Sequence, residues 1–121
     1  MRGMHYQDAP YEEAKLIRCT SGAIYDVIID LRPGSVTYQK HLGVALRADA
    51  HNMLYVPEGF AHGFITLMDK TIVYYQMSEF YAPEYARGYR WNDPAFRIEW
   101  PIEITVISDR DLQYPDFTAQ A

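Results

Sequence analysis

The stretch AIYDVIIDL, residues 23–31, decides how the rest of the chain is read. Its pattern has period two: Ile24, Asp26, Ile28 and Asp30 share one face of a regular strand, and Ala23, Tyr25, Val27 and Ile29 share the other. Its Val and Ile residues suit a pleated, packed surface better than a helix. Two acidic side chains then fall on a single side, which is either solvent or the lining of a polar cavity. Working outward, turn signals recur at SG (21–22), RPGS (32–35), RADAHN (47–52), PEG (57–59) and MDK (68–70). Between them stand AKLIRCT (14–20), VTYQKHLGVAL (36–46), NMLYVP (52–57), GFITLM (63–68) and TIVYYQMSEFY (71–81), all with strand chemistry. Short strands at regular spacing, with no helical period between them, predict an all-β antiparallel sandwich or barrel. Past Tyr81 the segment 82–103 is broken by Pro, Gly and Asn-Asp-Pro, which predicts loops with at most one helical turn; a last strand is expected at 104–108.

Composition narrows the class. A chain of 121 residues is read as one domain, 1–121, long enough to bury a sizeable core. Eleven Tyr, five Phe and two Trp favour strands. The net charge of −5 argues against a nucleic-acid surface, yet leaves room for an anionic small molecule held by a few well-placed basic residues, with Arg2, Lys15, Arg18 and Arg110 the candidates. No apolar run approaches bilayer length and the start lacks the apolar region of a signal peptide, so no membrane partner and a cytoplasmic location are expected. Cys19, the single cysteine, reads as a small buried apolar residue.

Four histidines are candidates for chemistry. His51 falls in a turn and His41 reads as an ordinary strand residue. His62 stands in VPEGFAHGF (56–64), where Pro57, Gly59 and His62 form a P-x-G-x-x-H pattern, a tight turn between strands that aims the histidine inward. That spacing matches the second motif of cupin barrels. Metal-dependent cupins add an H-x-H pair upstream, which this sequence lacks, so no metal is expected. His5, in MRGMHYQ (1–7), is either terminal decoration or the start of an active site. Histidines, tyrosines and a lysine suffice for proton transfer beside a ketone: a base with pKa near neutrality, a cation for the enolate oxygen and a hydroxyl on the far face.

RGMHYQ, AKLIRCTSGAIYDVIIDLR, VPEGFAHGF, YYQMSEFYAPE and RGYRWNDPAFRIEWP follow one another as in the dTDP-4-dehydrorhamnose 3,5-epimerase family, and the chain resembles that family from Arg2 to about Asp111. The resemblance implies a cupin-type jelly-roll barrel, homodimeric, working without cofactor or metal on a dTDP- or CDP-linked 4-keto-6-deoxy sugar. It implies that His5 is the catalytic base, that Asp111 orients it, that Lys15 stabilises the enolate oxygen and that Tyr75 supplies a proton from the far side. It further implies substrate-binding roles for Arg2 and Arg110 near the diphosphate, for Tyr81 in the pocket wall, for Gln7, and for His62 partnered by Asp26. Gln76 stands where a lysine is usual and Ala86 where an acidic residue is common. Family members carry a further segment ahead of RG-x-H, so nucleotide recognition is expected to differ or to be incomplete here. Epimerisation at C3, alone or with C5, is the expected activity; a non-catalytic sugar-binding cupin and a nucleotide-sugar 3,4-ketoisomerase are the alternatives.

Overall fold

The computed structural model describes residues 1–118; the last three residues of the expected 1–121 domain lie outside the described residues. Eight strands form in chain order: β1 (Arg2–Gln7), β2 (Lys15–Ser21), β3 (Ala23–Asp30), β4 (His41–Arg47), β5 (Leu54–Val56), β6 (Phe60–Thr66), β7 (Ile72–Met77) and β8 (Ala86–Gly88). They make a five-stranded sheet ordered β4-β3-β6-β1-β8 and a three-stranded sheet ordered β5-β2-β7, antiparallel throughout. Two antiparallel sheets packed face to face realise the expected all-β sandwich.

β3 is buried on both faces, which explains its near-continuous apolar run. Ile24 and Ile28 meet Ile17, Cys19, Leu46 and Val56 in the core between the sheets. Val27 and Ile29 face outward, where Met4, Ala61 and Phe96 cover them, with Trp100 and Phe117 packed alongside. The loop-rich C-terminal region is thus the lid of the large sheet. Asp93 of the Asn-Asp-Pro turn fastens it by accepting hydrogen bonds from Ala95 N at 2.9 Å and Phe117 N at 2.8 Å.

The two acids of β3 meet neither solvent nor one shared cavity. Asp30 is 1% exposed and accepts from Arg32 Nε (2.9 Å), the Arg32 backbone N (2.9 Å) and Ser35 Oγ (2.6 Å), as well as from Arg32 Nη2 and Thr37 Oγ1. The Arg32 guanidinium foremost, with the two hydroxyls, holds its carboxyl well below the usual carboxylate range. This clamp folds residues 32–40 into turns, so the expected strand at 36–46 begins only at His41. Asp26 pairs elsewhere, as described below.

One further expectation is corrected, and one alternative is settled. Residues 103–108 form no strand, because β1, the strand they run beside, already has β6 on one side and β8 on the other. The contact made there is a single hydrogen bond from the Met1 ammonium to Val106 O at 3.0 Å. The chain start, in turn, is no frayed tail: β1 lies within the large sheet.

β1 carries an irregularity that alternation cannot reveal. Arg2 pairs with Phe64 and His5 with His62, so three steps on β1 match two on β6. This extra residue turns Arg2 and His5 to the same face of the sheet, although their odd spacing would put them on opposite faces of a regular strand. Gly3 and Gly63 permit it: a Cβ on Gly63 would meet Met4 Sδ at 2.5 Å and Arg2 O at 2.8 Å, and one on Gly3 would meet Gly63 Cα at 2.5 Å. Gly63→Ala is therefore expected to push β1 off β6, costing about 1–3 kcal/mol of stability in chemical denaturation. An unchanged midpoint would show that β1 does not depend on this close approach.

Candidate active site

The alternation of β2 and β7 builds one wall of the site. Lys15, Ile17 and Cys19 point between the sheets, and their register partners Met77, Tyr75 and Val73 point the same way. Cys19 and Val73 close the inner end, while Lys15, Tyr75 and Met77 line an open cleft of ≈160 Å³. The opposing large sheet contributes His5 and Gln7, and the loop after β7 contributes Tyr81. Glu13, Ala86, Arg87 and Arg110 complete the rim.

His5 is held from behind. Its Nε2 lies 2.6 Å from Asp111 Oδ1, and Asp111 is 3% exposed. The carboxylate is fixed in its turn: its Oδ2 accepts from Gly3 N at 3.3 Å, and its own N–H donates to Ser108 Oγ at 3.2 Å. Ser108 is the N-cap of the one-turn helix α1 (Asp109–Leu112), which is why Asp111 and not Asp109 reaches the histidine. With Nε2–H donated to a carboxylate, the free lone pair of His5 is on Nδ1. Tyr114 meets the imidazole edge-on, with ring centroids 6.1 Å apart.

Burial lowers the His5 pKa below its ordinary 6.5; the hydrogen bond and charge of Asp111 oppose this, and the charges of Lys15 and Arg110 add to the lowering. This shift favours the neutral ring over the imidazolium. Lys15 Nζ stands 3.4 Å from Glu13 Oε1, both side chains well buried.

A second cavity, ≈470 Å³, adjoins the cleft and shares His5 and Arg110 with it. Arg2 lines it together with Asp111 and residues 106–108. Arg110 lies against the hydroxyls of Tyr81 and Tyr114, which raise its pKa further and keep it a fixed cation. Two arginines in one groove beside His5 form a place for an anionic group.

The structure therefore brings His5, Lys15, Tyr75, Tyr81 and Arg110 around one cleft and puts Arg2 in the adjoining groove with Asp111 behind His5. Gln7 touches the cleft, but its amide is engaged by backbone: Nε2 donates to Tyr11 O at 2.8 Å and Phe80 O at 3.3 Å, and Oε1 accepts from Ala82 N at 2.7 Å. It holds the loop that carries Tyr81. His62 and Asp26 are joined at 2.9 Å and buried, 6% and 0% exposed, and line neither cavity. Sequence reasoning missed Glu13, whose only signal is its place two residues before Lys15.

A two-sheet β sandwich with a carboxylate-backed histidine, a lysine and a tyrosine lining one inter-sheet cleft has the architecture of a cupin-type barrel. A family model described as dTDP-4-dehydrorhamnose 3,5-epimerase matches residues 1–119, and the chain belongs to that family. It is 42% identical over 117 residues to the dTDP-4-dehydrorhamnose 3,5-epimerase of Shigella flexneri, covering 97% of this chain and 65% of that protein. The Bacillus anthracis epimerase solved with TDP and pyrophosphate bound superposes with a TM-score of 0.93 at 46% identity, over 96% of this chain and 66% of that one. A 3′-monoepimerase of Streptomyces bikiniensis, solved with dTDP-quinovose, superposes with a TM-score of 0.86 at 36% identity, over 95% and 59%. The chain thus spans 59–66% of the length of these relatives.

The His5–Asp111 geometry has a direct signature in solution. In an NMR titration of the histidine ring resonances, His5 is expected to titrate below 6.5. Asp111→Asn removes the carboxylate that favours the imidazolium and should move the midpoint lower still. A midpoint that rises in the variant would contradict the pairing.

Proposed function

We propose that this chain catalyses epimerisation at C3 of a nucleoside-diphosphate 4-keto-6-deoxy sugar. The observation that carries the proposal is the His5–Asp111 pair at 2.6 Å, whose histidine lines the same cleft as Lys15 and Tyr75. In this reading His5 Nδ1 removes the proton from C3, and the electron pair of the C–H bond moves into a C3–C4 double bond as the C4 carbonyl becomes an enolate. The Lys15 ammonium stabilises the enolate oxygen, and Asp111 stabilises the imidazolium. The Tyr75 hydroxyl then returns a proton to the opposite face, and the carbon is inverted. C5 flanks the same ketone and is open to the same chemistry if the ring rebinds or turns.

Arg2 and Arg110 fit the diphosphate, and Tyr81 fits the wall of the nucleotide-sugar pocket. The relatives solved with TDP or dTDP-quinovose favour a dTDP-linked substrate over a CDP-linked one. We place the chain in the cytoplasm as a homodimer; Met53, Tyr55, Ile72 and Tyr74, exposed on the three-stranded sheet and its flank, offer apolar surface for a second copy.

Variant kinetics test the roles. His5→Asn should lower kcat about 10²- to 10⁴-fold with folding retained, and Tyr75→Phe should be comparably severe. A mild Tyr75→Phe beside a severe His5→Asn would favour 3,4-ketoisomerisation, which needs a base on one face only. Absence of turnover in the folded wild-type protein would favour a non-catalytic sugar-binding cupin.

A further inference from the structure

Glu13 sits two residues ahead of Lys15 and lines the cleft with His5, Lys15 and Tyr75. Its side chain is 8% exposed. Oε1 lies 3.4 Å from Lys15 Nζ, longer than a well-formed charged hydrogen bond, and Oε2 is buried with no hydrogen-bond partner among the described residues. A buried carboxylate oxygen left without a donor costs free energy, and native proteins keep few of them. The other buried carboxylates are better provided for: Asp30 has five donors and Asp111 is held by His5 and Gly3 N. Asp26 Oδ1 also lacks a hydrogen bond, yet it lies 2.9 Å from His62 Nε2 and lines neither cavity. Glu13 combines an unmet acceptor with a position on the cleft wall.

The neighbouring lysine defines what donor would suit it. If Lys15 engages the ketone oxygen of the substrate, as the proposed function has it, the oxygen on the adjacent carbon lies beside that contact, near the carboxylate that flanks the ammonium. The terminal carboxylate torsion is broad, and a partial rotation about it aims an oxygen at the cleft without moving the stem. We infer that Glu13 is a substrate-binding residue that accepts a hydrogen bond from the hydroxyl on C3, the carbon next to the ketone. Lys15 and Glu13 together then grip the ketone and its neighbouring hydroxyl as a donor and acceptor pair. Such a grip fixes the orientation of the C3–H bond toward His5 and discriminates against sugars that lack the hydroxyl.

The inference rests on the proposed substrate class, and a binding measurement separates the two. Dissociation constants are measured by calorimetry in a His5→Asn background, so that no turnover intervenes, with a dTDP-linked 4-keto-6-deoxy sugar and with its 3-deoxy counterpart. Glu13→Ala is expected to weaken the hydroxylated ligand about 10- to 100-fold, the range for a hydrogen bond to a charged group, and the 3-deoxy ligand by less than about threefold. Glu13→Gln, which preserves the shape and packing of the stem, should show the same selectivity at a smaller amplitude and serves if the alanine variant does not fold. Equal weakening of both ligands would mean that Glu13 acts only through Lys15 and would overturn the inference, as would no weakening of either. Selective weakening without turnover by the protein carrying native His5 would refute the epimerase reading and leave Glu13 as a hydroxyl-binding carboxylate; failure to bind either ligand would overturn both.

Discussion

One hydrogen bond, from His5 to Asp111, spans 106 positions of chain and joins the first strand to the last helical turn. It needs β1 seated inside the large sheet, which needs Gly3 against Gly63. It also needs α1 capped by Ser108, so that the carboxylate points at the imidazole and at Gly3 N together. Each requirement is met by a separate local device, and the dyad exists only where all coincide. The chemistry of the cleft therefore depends on tertiary structure more than on any one element.

The two sheets divide the work. The large sheet is covered on its outer face by the C-terminal segment and buries all of β3 but part of Tyr25, which gives His5 a rigid support. The small sheet is thinner and more exposed, and its inward row changes from Cys19 and Val73 to Lys15 and Tyr75 toward the mouth. Apolar packing near the closed end thus passes into polar function within a few residues of strand. The electrostatics follow the same division: a carboxylate stands behind His5, while cations and hydroxyls face it across the cleft and around the groove.

Much of this was legible in the sequence. Period-two alternation located most of the strands, and the resemblance singled out His5, Lys15, Tyr75 and Asp111, which the fold gathers at one site. What alternation could not show was the extra residue in β1, because a register shift is a property of the pair of strands. The Asp30 clamp was equally hidden: its donors Arg32, Ser35 and Thr37 look like ordinary turn residues until the chain folds back on them. The run from Ile104 to Ser108 has strand composition and forms none, since β1 had no free edge beside it. Glu13 was passed over because its burial arises from neighbours distant in sequence.

The most direct test of the central claim is proton NMR of the purified protein in D2O with dTDP-4-keto-6-deoxyglucose and, in parallel, its CDP counterpart. The account predicts deuterium at C3, with exchange at C5 marking a double epimerase and the responding nucleotide identifying the base. A folded sample that exchanges neither position of either substrate would contradict the assignment of His5 and Asp111 as a proton-abstracting pair.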